Sequence, residues 1–120
     1  MVEVVYTDEF GEWFASLDEE DQERVASVVR KLEVMGLSLP MPHAKALHVE
    51  KHALRELRPS RGQSPLRIVY AFDPSRDAVL LIGGDKGGDS DERFFGSLIP
   101  KAVRIWEQYL AEHARGEHED

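Results

Sequence analysis

Cysteine is absent from the sequence, and so are long apolar runs and any overall excess of basic residues. Without cysteine, the chain can form neither a disulfide framework nor a metal site built on thiolates. No apolar run approaches the ~18 residues of a membrane span. The start, MVEVVYTDEF, lacks the basic residues and the apolar stretch of a signal peptide. We therefore expect a soluble protein that works in the cytoplasm and has no membrane partner.

Length and composition favour a single domain. A chain of 120 residues, of which 42% are apolar, can bury a core without help from disulfides. We predict one domain over residues 1–120. The tail, from about residue 112 to 120, ends in RGEHED and is expected to be frayed.

Charge is unevenly distributed along the chain. The formal net charge of −8 argues against a nucleic-acid partner. Residues 43–67, however, carry six basic and two acidic side chains, whereas residues 1–42 carry three basic and ten acidic ones. Local potential, rather than net charge, decides where a polyanion docks. The basic segment is therefore either a docking surface for a polyanion or a solvated pair of strands, and charge alone does not separate the two.

Helical signals dominate the first third of the chain. The β-branched segment VEVVY predicts a short first strand, and Thr7 or Asp8 can cap the helix that follows. Asp18 is expected to cap a second helix, whose acidic first turn suits the helix dipole and which ends at Gly36. Two helices in succession predict an antiparallel hairpin.

Strand signals dominate the next part. KALHVEKHALRELRP predicts two short strands, PLRIVYAF alternates like a third, and the apolar run AVLLIGG predicts a central strand. The last segment is helical, with a new helix beginning near Ser97, because Pro100 suits only a first turn. We therefore predict an α+β fold: an N-terminal strand and helical hairpin, then a mostly antiparallel sheet of about four strands and a C-terminal helix.

The loop GGDKGGDS, residues 83–90, follows the predicted central strand in the way of a phosphate-binding turn. It matches neither G-x-x-x-x-G-K-[ST] nor G-x-G-x-x-G, and Asp85 and Asp89 would repel phosphate. A turn without function is the simplest interpretation. Lys86 nevertheless leaves the strand among small residues, where its ammonium group is accessible, and the glycines give room for the close approach of a backbone.

The histidines show no metal-binding pattern. None of them has the helical H-E-x-x-H spacing of a zinc protease; the five are His43, His48, His52, His113 and His118. We therefore predict neither a metal site nor a cofactor. A histidine can still act as a general acid or base, because its side chain titrates near neutrality.

Basic side chains on successive predicted strands form the most informative pattern. Arg55 and Arg58 lie on one strand, Arg67 lies on the next, and Lys86 ends the last. These groups can converge on one face and hold a phosphodiester, because guanidinium forks suit phosphate oxygens and the charge that develops in phosphoryl transfer. The alternative is that Arg55 pairs locally with Glu56 at the surface.

Strand parity around the segment ELR is ambiguous. In an ideal strand Leu54, Glu56 and Arg58 share one face, whereas Leu57 has the character of a core residue. We take Leu57 as the core contact. Arg58 is then a surface residue, and its replacement is expected to change stability by no more than about 0.5 kcal/mol.

The combination of ALRELRP, LRIVYAFDPSRDAVLLIGGDKGG and FFGSLIPKAVRIWEQYL resembles the phage-derived, HigB-like branch of the RelE/ParE toxin superfamily. Each piece is weak alone, but the set spans roughly residues 47–110. The resemblance implies a toxin of a type II toxin–antitoxin system that acts as a ribosome-dependent endoribonuclease on messenger RNA, without a metal. It implies two kinds of partner: the ribosome with its message, and a cognate antitoxin, which we expect to be a helix-turn-helix DNA-binding protein.

The resemblance also assigns roles to residues. Its catalytic positions fall on Arg58, Arg67 and Lys86. Its RNA-contacting positions fall in the basic segment, on Lys45, Lys51, His52, Arg55 and Arg61. Two alternatives on the same scaffold stay open: a ParE-like inhibitor of DNA gyrase, and a partner-binding module without activity.

The chain departs from the family pattern at Phe95. Relatives commonly carry tyrosine there, and a tyrosine near that position can assist catalysis. With no hydroxyl at Phe95, the acid–base work would pass to another residue such as His48, His52 or Lys86.

Overall fold

The computed structural model describes the backbone of residues 1–59 and 64–119, and the side chains of the same ranges up to residue 113. Its helices and strands run in the order β1 (Val4–Tyr6), α1 (Asp8–Ala15), α2 (Glu19–Met35), β2 (Ala44–Ala46), β3 (Arg55–Leu57), β4 (Leu66–Phe72), β5 (Ala78–Asp85) and α3 (Asp91–Glu119), with a short 3-10 turn at Gly36–Ser38. The predicted α+β fold is confirmed.

One five-stranded sheet has the strand order β1-β5-β4-β3-β2. The N-terminal strand β1 pairs in parallel with β5, and the other neighbours pair antiparallel. The four strands of the second half therefore form the predicted antiparallel part. β1 lies at the edge of the sheet, next to β5.

The helical hairpin forms for the local reasons that the sequence indicates. The Thr7 hydroxyl accepts a hydrogen bond from the amide of Phe10 at the start of α1. The Asp18 carboxylate accepts one from the amide of Asp21 at the start of α2. Gly36 ends α2 with a φ of 55°, a conformation that glycine adopts without strain.

Two apolar layers lie on opposite faces of the sheet, because successive side chains of a strand point to opposite faces. The first layer packs under α1 and α2 and includes Leu57, Ile68 and Leu80. The second packs under α3 and includes Val69 and Leu81. The confirmed core position of Leu57 places the alternate residues of β3 on the α3 face.

The glycines that end β5 make room for aromatic side chains of the protein itself. A Cβ atom on Gly83 would lie 2.3 Å from the ring of Trp13 in α1. A Cβ atom on Gly84 would lie 3.1 Å from the ring of Phe94 in α3. At Gly83 and Gly84 the space is therefore filled by core packing on both faces of the strand, whereas nothing lies within 4 Å of a Cβ atom on Gly88, so the expected close approach of a backbone stays a prediction for the rest of the loop.

The start of the last helix differs from the prediction. Helix α3 begins at Asp91 and continues through Pro100, so no new helix begins near Ser97. Proline removes one hydrogen bond, the one to the carbonyl of the residue four positions earlier. That residue, Gly96, is exposed, so water can satisfy its carbonyl. The single domain over residues 1–120 and the frayed tail stay predictions. Within the described residues, no helix is both long and apolar enough to cross a bilayer.

Candidate functional site

Arg58 and Arg67 lie opposite each other on neighbouring strands. The antiparallel register pairs Leu57 of β3 with Ile68 of β4, and the next residue on each strand is one of the two arginines. Both arginines lie on the α3 face, because Leu57 and Ile68 occupy the other one. The sequence prediction that these two guanidinium groups share a face is met in the geometry.

A buried carboxylate joins the two arginines. Glu56, whose side chain is only 3% exposed, accepts a hydrogen bond at Oε1 from Nε of Arg58. The same oxygen lies 3.6 Å from Nε of Arg67. We call these three residues the Arg58–Glu56–Arg67 cluster. It contains two positive charges and one negative charge, so it keeps a net positive charge against the sheet.

Arg67 is the more deeply placed arginine, with a side chain that is 8% exposed. Its Nη1 donates hydrogen bonds to the carbonyls of Ser64 and Leu66, at 2.7 and 2.8 Å. Its buried Nε has no hydrogen-bond partner within the standard distance in the part of the chain that the structure describes. Burial lowers the pKa of Arg67, and the neighbouring charge of Arg58 lowers it further, while Glu56 opposes the shift.

The outer nitrogens of the cluster remain available. Among the described residues, no hydrogen bond is made by the two Nη atoms of Arg58 or by Nη2 of Arg67. The side chain of Arg58 is 20% exposed and that of Arg67 is 8% exposed, so solvent reaches part of each. The cluster thus presents N–H donors outward while its Nε atoms face Glu56, an arrangement suited to the oxygens of a phosphate.

Lys86 lies directly after β5 and is held by helix α3. Its backbone amide donates a hydrogen bond to the carbonyl of Pro65 at 2.8 Å, which fixes the loop beside β4. Its Nζ lies 3.3 Å from Oδ1 of Asp91 in the first turn of α3. Arg67 pairs with Gly84 in the sheet register, two residues before Lys86, and the charge of Asp91 opposes the lowering of the Arg67 pKa.

Lys45 is placed with the cluster. It lies on the edge strand β2 directly opposite Glu56, so its exposed side chain shares the α3 face. Arg55 lies on the opposite face, where Nε donates a hydrogen bond to the hydroxyl of Tyr70 at 3.2 Å. The structure therefore brings one of these two predicted RNA-contacting residues to the cluster and not the other.

His52 lies far from Lys86. Its Nε2 is 3.1 Å from Oε2 of Glu107 on α3. At about 1.5 Å per residue, Glu107 is about 24 Å along the helix from Asp91. Lys51, the neighbour of His52, is exposed and has a positive φ of 74°. Arg61 lies outside the described residues.

Two residues that the sequence singled out, Glu56 and Phe95, are buried. Glu56 was interpreted as a possible surface partner of Arg55, but it is the buried centre of the cluster. A signal for it existed in the strand parity, since Glu56 and Arg58 alternate around a core leucine. Phe95 lies on α3, is 9% exposed and packs edge-on against Phe94, so it is a core residue.

Metal ligands do not gather in the described part of the chain. Within residues 1–59 and 64–113, no three histidine, aspartate or glutamate side chains lie together in a way that could hold an ion. Independence from metal stays a prediction about the reaction.

Comparison with known proteins supplies the family. Residues 12–107 match the family described as phage-derived Gp49-like protein. The chain belongs to the Gp49-like family. HigB3 of Mycobacterium tuberculosis, a protein named as a toxin, is 39% identical over 106 residues, which cover 87% of this chain and 90% of HigB3. HigB2 of the same organism, also named as a toxin, is 34% identical over 102 residues, 83% of this chain and 50% of HigB2.

Solved structures confirm the fold of this Gp49-like protein. A chain of the archaeal RelE–RelB complex from Pyrococcus horikoshii matches with a TM-score of 0.56 and 15% identity, over 72% of this chain and 97% of that one. YafQ of E. coli matches with a TM-score of 0.54 and 13% identity, over 72% and 94%. At such identities the likeness shows the fold, which is RelE-like. Together with the HigB relatives it confirms the resemblance to HigB-like toxins of the RelE group.

Proposed function

We propose that this protein is the toxin of a type II toxin–antitoxin system and that it cleaves messenger RNA in the ribosome. The observation that carries the proposal is the Arg58–Glu56–Arg67 cluster, whose outward N–H groups suit a phosphodiester. Its two HigB relatives are named as toxins, which supports the part of the proposal that makes this chain a toxin. The cytoplasm, where ribosomes translate, is the proposed place of action.

The proposed reaction is an attack by a ribose 2′-hydroxyl on the neighbouring phosphate. The P–O2′ bond forms while the 2′-hydroxyl proton passes to water, and the P–O5′ bond breaks, which gives a 2′,3′-cyclic phosphate and a 5′-hydroxyl. Arg58 and Arg67 stabilise the extra negative charge of the phosphoryl group in the transition state, where preorganised donors have their largest effect. Lys86, at the end of β5, donates a proton to the leaving 5′-oxygen.

Dependence on the ribosome follows from charge. The chain has a net charge of −8, and the outward cluster offers only a few phosphate contacts. Affinity for single-stranded RNA grows with the number of phosphates that are neutralised, so naked RNA should bind weakly. The ribosome would supply the position of the message that this small basic surface cannot hold alone.

Induction in cells without a partner tests the proposal. Growth should stop, and primer extension should show new 5′ ends within translated messages. Purified protein should cut the same naked RNA barely at all. Intact messages together with altered DNA supercoiling would favour a gyrase inhibitor instead.

Cleavage should persist in a chelator, at magnesium levels that keep ribosomes assembled, and a requirement for added zinc would contradict the assigned site.

A second surface supports the proposal of an antitoxin partner. An apolar groove of about 360 Å³ lies between α1, α2 and β1, on the sheet face opposite the cluster, and Phe10, Phe14 and Val29 contribute to its lining. A small helix-turn-helix protein encoded beside this chain is the proposed occupant. Co-expression should restore growth, and the two proteins should purify together. If growth stays arrested although the two proteins form a stable complex, the groove binds the partner without inhibiting the Arg58–Glu56–Arg67 cluster.

A further inference from the structure

We propose that Glu56 is a positioning residue, whose buried carboxylate orients Arg58 and Arg67 so that both present their Nη groups to one phosphodiester. The inference deepens the proposed function and rests on it. Glu56 makes its contacts at the Nε atoms, one of them a hydrogen bond and the other at 3.6 Å. Each guanidinium is thereby held at Nε, and among the described residues the Nη atoms of Arg58 and Nη2 of Arg67 have no partner.

The position of Glu56 does not require a carboxylate for packing. It lies in the middle of the short strand β3, between Val69 on one neighbouring strand and the exposed Lys45 on the other. A buried ion pair is seldom more stable than apolar residues of the same volume. A buried carboxylate at this position therefore has an explanation in what it does to the two arginines, which sit beside each other despite their like charge.

Arg67 shows most clearly what the carboxylate supplies. Its Nη1 is committed to the carbonyls of Ser64 and Leu66, and its Nε lies toward Glu56, which leaves Nη2 without a partner among the described residues. The two carbonyl contacts hold one side of the guanidinium group. The negative charge near Nε holds the other side, so the two anchors together set the direction of Nη2.

Glu56 should weaken the binding of RNA but speed the chemical step. Glu56 lowers the net positive charge that a bound phosphate meets, so it weakens attraction in the ground state. It also fixes the donors before charge develops, which lowers the barrier of the chemical step. Glu56→Gln keeps the size of the side chain and an acceptor oxygen but removes the charge. We expect KM for ribosome-bound message to stay within about threefold of wild type or to fall, and kcat to drop by about 30-fold or more.

The kinetic experiment uses the full chain with programmed ribosomes. Glu56→Gln and Glu56→Asp are compared with Glu20→Gln, which removes the charge from an exposed glutamate–arginine pair on α2. Glu20→Gln should keep wild-type kcat and KM. Glu56→Asp should recover part of the rate, because it restores the charge at a shorter reach. A Glu56→Gln variant that cuts at the wild-type rate would overturn the inference, as would a loss that lies mainly in a higher KM or a loss of kcat that merely tracks a lower Tm.

A second measurement does not depend on cleavage or on the folding of a variant. In the wild-type chain, the Nε–Hε NMR signals of Arg58 and Arg67 should be visible and protected from exchange with water. A 2′-O-methyl RNA oligonucleotide, which lacks the nucleophile, should shift the Nη signals of both arginines and leave the Nε signals in place. If wild-type protein cuts no message, the proposed function fails, yet these signals still decide the role of Glu56. Unprotected Nε signals, or an oligonucleotide that shifts only one arginine, would overturn it.

Discussion

Arg58 donates a hydrogen bond from Nε to Oε1 of Glu56, and the carboxylate that accepts it is almost completely buried. Arg58 itself is 20% exposed. The expectation that Arg58 is a surface residue without structural contacts is therefore wrong. The same guanidinium stabilises a buried charge and offers two outer nitrogens, so its replacement must affect both folding and function.

Replacing Arg58 by alanine should abolish growth arrest and also lower the free energy of unfolding. The loss of a preorganised donor costs about 10²–10³ in rate. The stability change should be about 1–3 kcal/mol, because Glu56 loses its hydrogen-bonded partner while Arg67 stays at 3.6 Å. Induced growth and urea denaturation of the same variants measure the two effects.

Arg58→Lys and Arg104→Ala serve as comparisons for that variant. Lysine restores the charge beside Glu56 and so should regain part of the stability, but not toxicity, because an ammonium does not reproduce the guanidinium fork. Arg104 is an exposed arginine of α3, and its loss should change neither property. An Arg58→Ala variant that remains toxic would remove Arg58 from the catalytic site.

Gly83 should tolerate no side chain, whereas Gly88 should accept one. An added Cβ at Gly83 would overlap the Trp13 ring at 2.3 Å, while nothing lies within 4 Å of a Cβ at Gly88. We expect Gly83→Ala to lower the free energy of unfolding by about 1–3 kcal/mol or more, as overpacking does. Gly88→Ala should stay within about 0.5 kcal/mol of wild type. Denaturation curves of the two variants decide, and equal midpoints would contradict the packing role of Gly83.

Local signals in the sequence were sufficient for much of the fold. The caps at Thr7 and Asp18 and the stop at Gly36 act within a few residues of their position, so their effect can be read from the chain. The resemblance to HigB-like toxins supplied the candidate pair Arg58 and Arg67, which alternation alone could only suggest.

The remaining features depend on contacts between distant segments. Glu56 is buried against Arg58 and Arg67, and Arg67 lies on a neighbouring strand, so no local pattern states that these side chains meet. Gly83 and Gly84 of β5 face Trp13 and Phe94, and Trp13 lies far away along the chain. The path of α3 through Pro100 likewise depends on the core beneath the helix, which outweighs the lost hydrogen bond.

Tyr109 should make stability fall at alkaline pH. Its hydroxyl donates a hydrogen bond to Oδ2 of Asp73 at 2.9 Å. Burial raises the pKa of Tyr109, and the hydrogen bond to Asp73 and its charge raise it further. The unfolded chain loses this proton near pH ~10, but the folded chain keeps it, so unfolding releases a proton above that pH. The stabilisation is therefore complete below pH ~10 and is lost as the pH rises.

Tyr109→Phe isolates this contribution. The variant should be less stable than wild type at pH 8 by about 1 kcal/mol, because Asp73 loses a donor. Between pH 9 and 11 its free energy of unfolding should fall less steeply than that of wild type. Some slope should remain, since burial also raises the pKa of Tyr70. Urea denaturation at several pH values checks the prediction, and parallel curves for the two proteins would contradict it.

Lys86 and Asp91 should have opposite effects on the reaction. Their ion pair, with side chains 23% and 61% exposed, contributes little to stability. Lys86→Met should lower the cleavage rate by about 10²–10⁴, the usual contribution of a general acid, with an unchanged Tm.

Asp91→Asn removes a negative charge beside Lys86 and Arg67, so the chain should bind the 2′-O-methyl oligonucleotide more tightly and with a steeper dependence on salt. Lys101→Met, at an exposed lysine of the same helix, is the matched control and should change neither quantity. If Lys86→Met and Lys101→Met cut equally well, Lys86 takes no part in proton transfer. If Asp91→Asn binds less tightly than wild type, Asp91 orders Lys86 for RNA rather than shielding it.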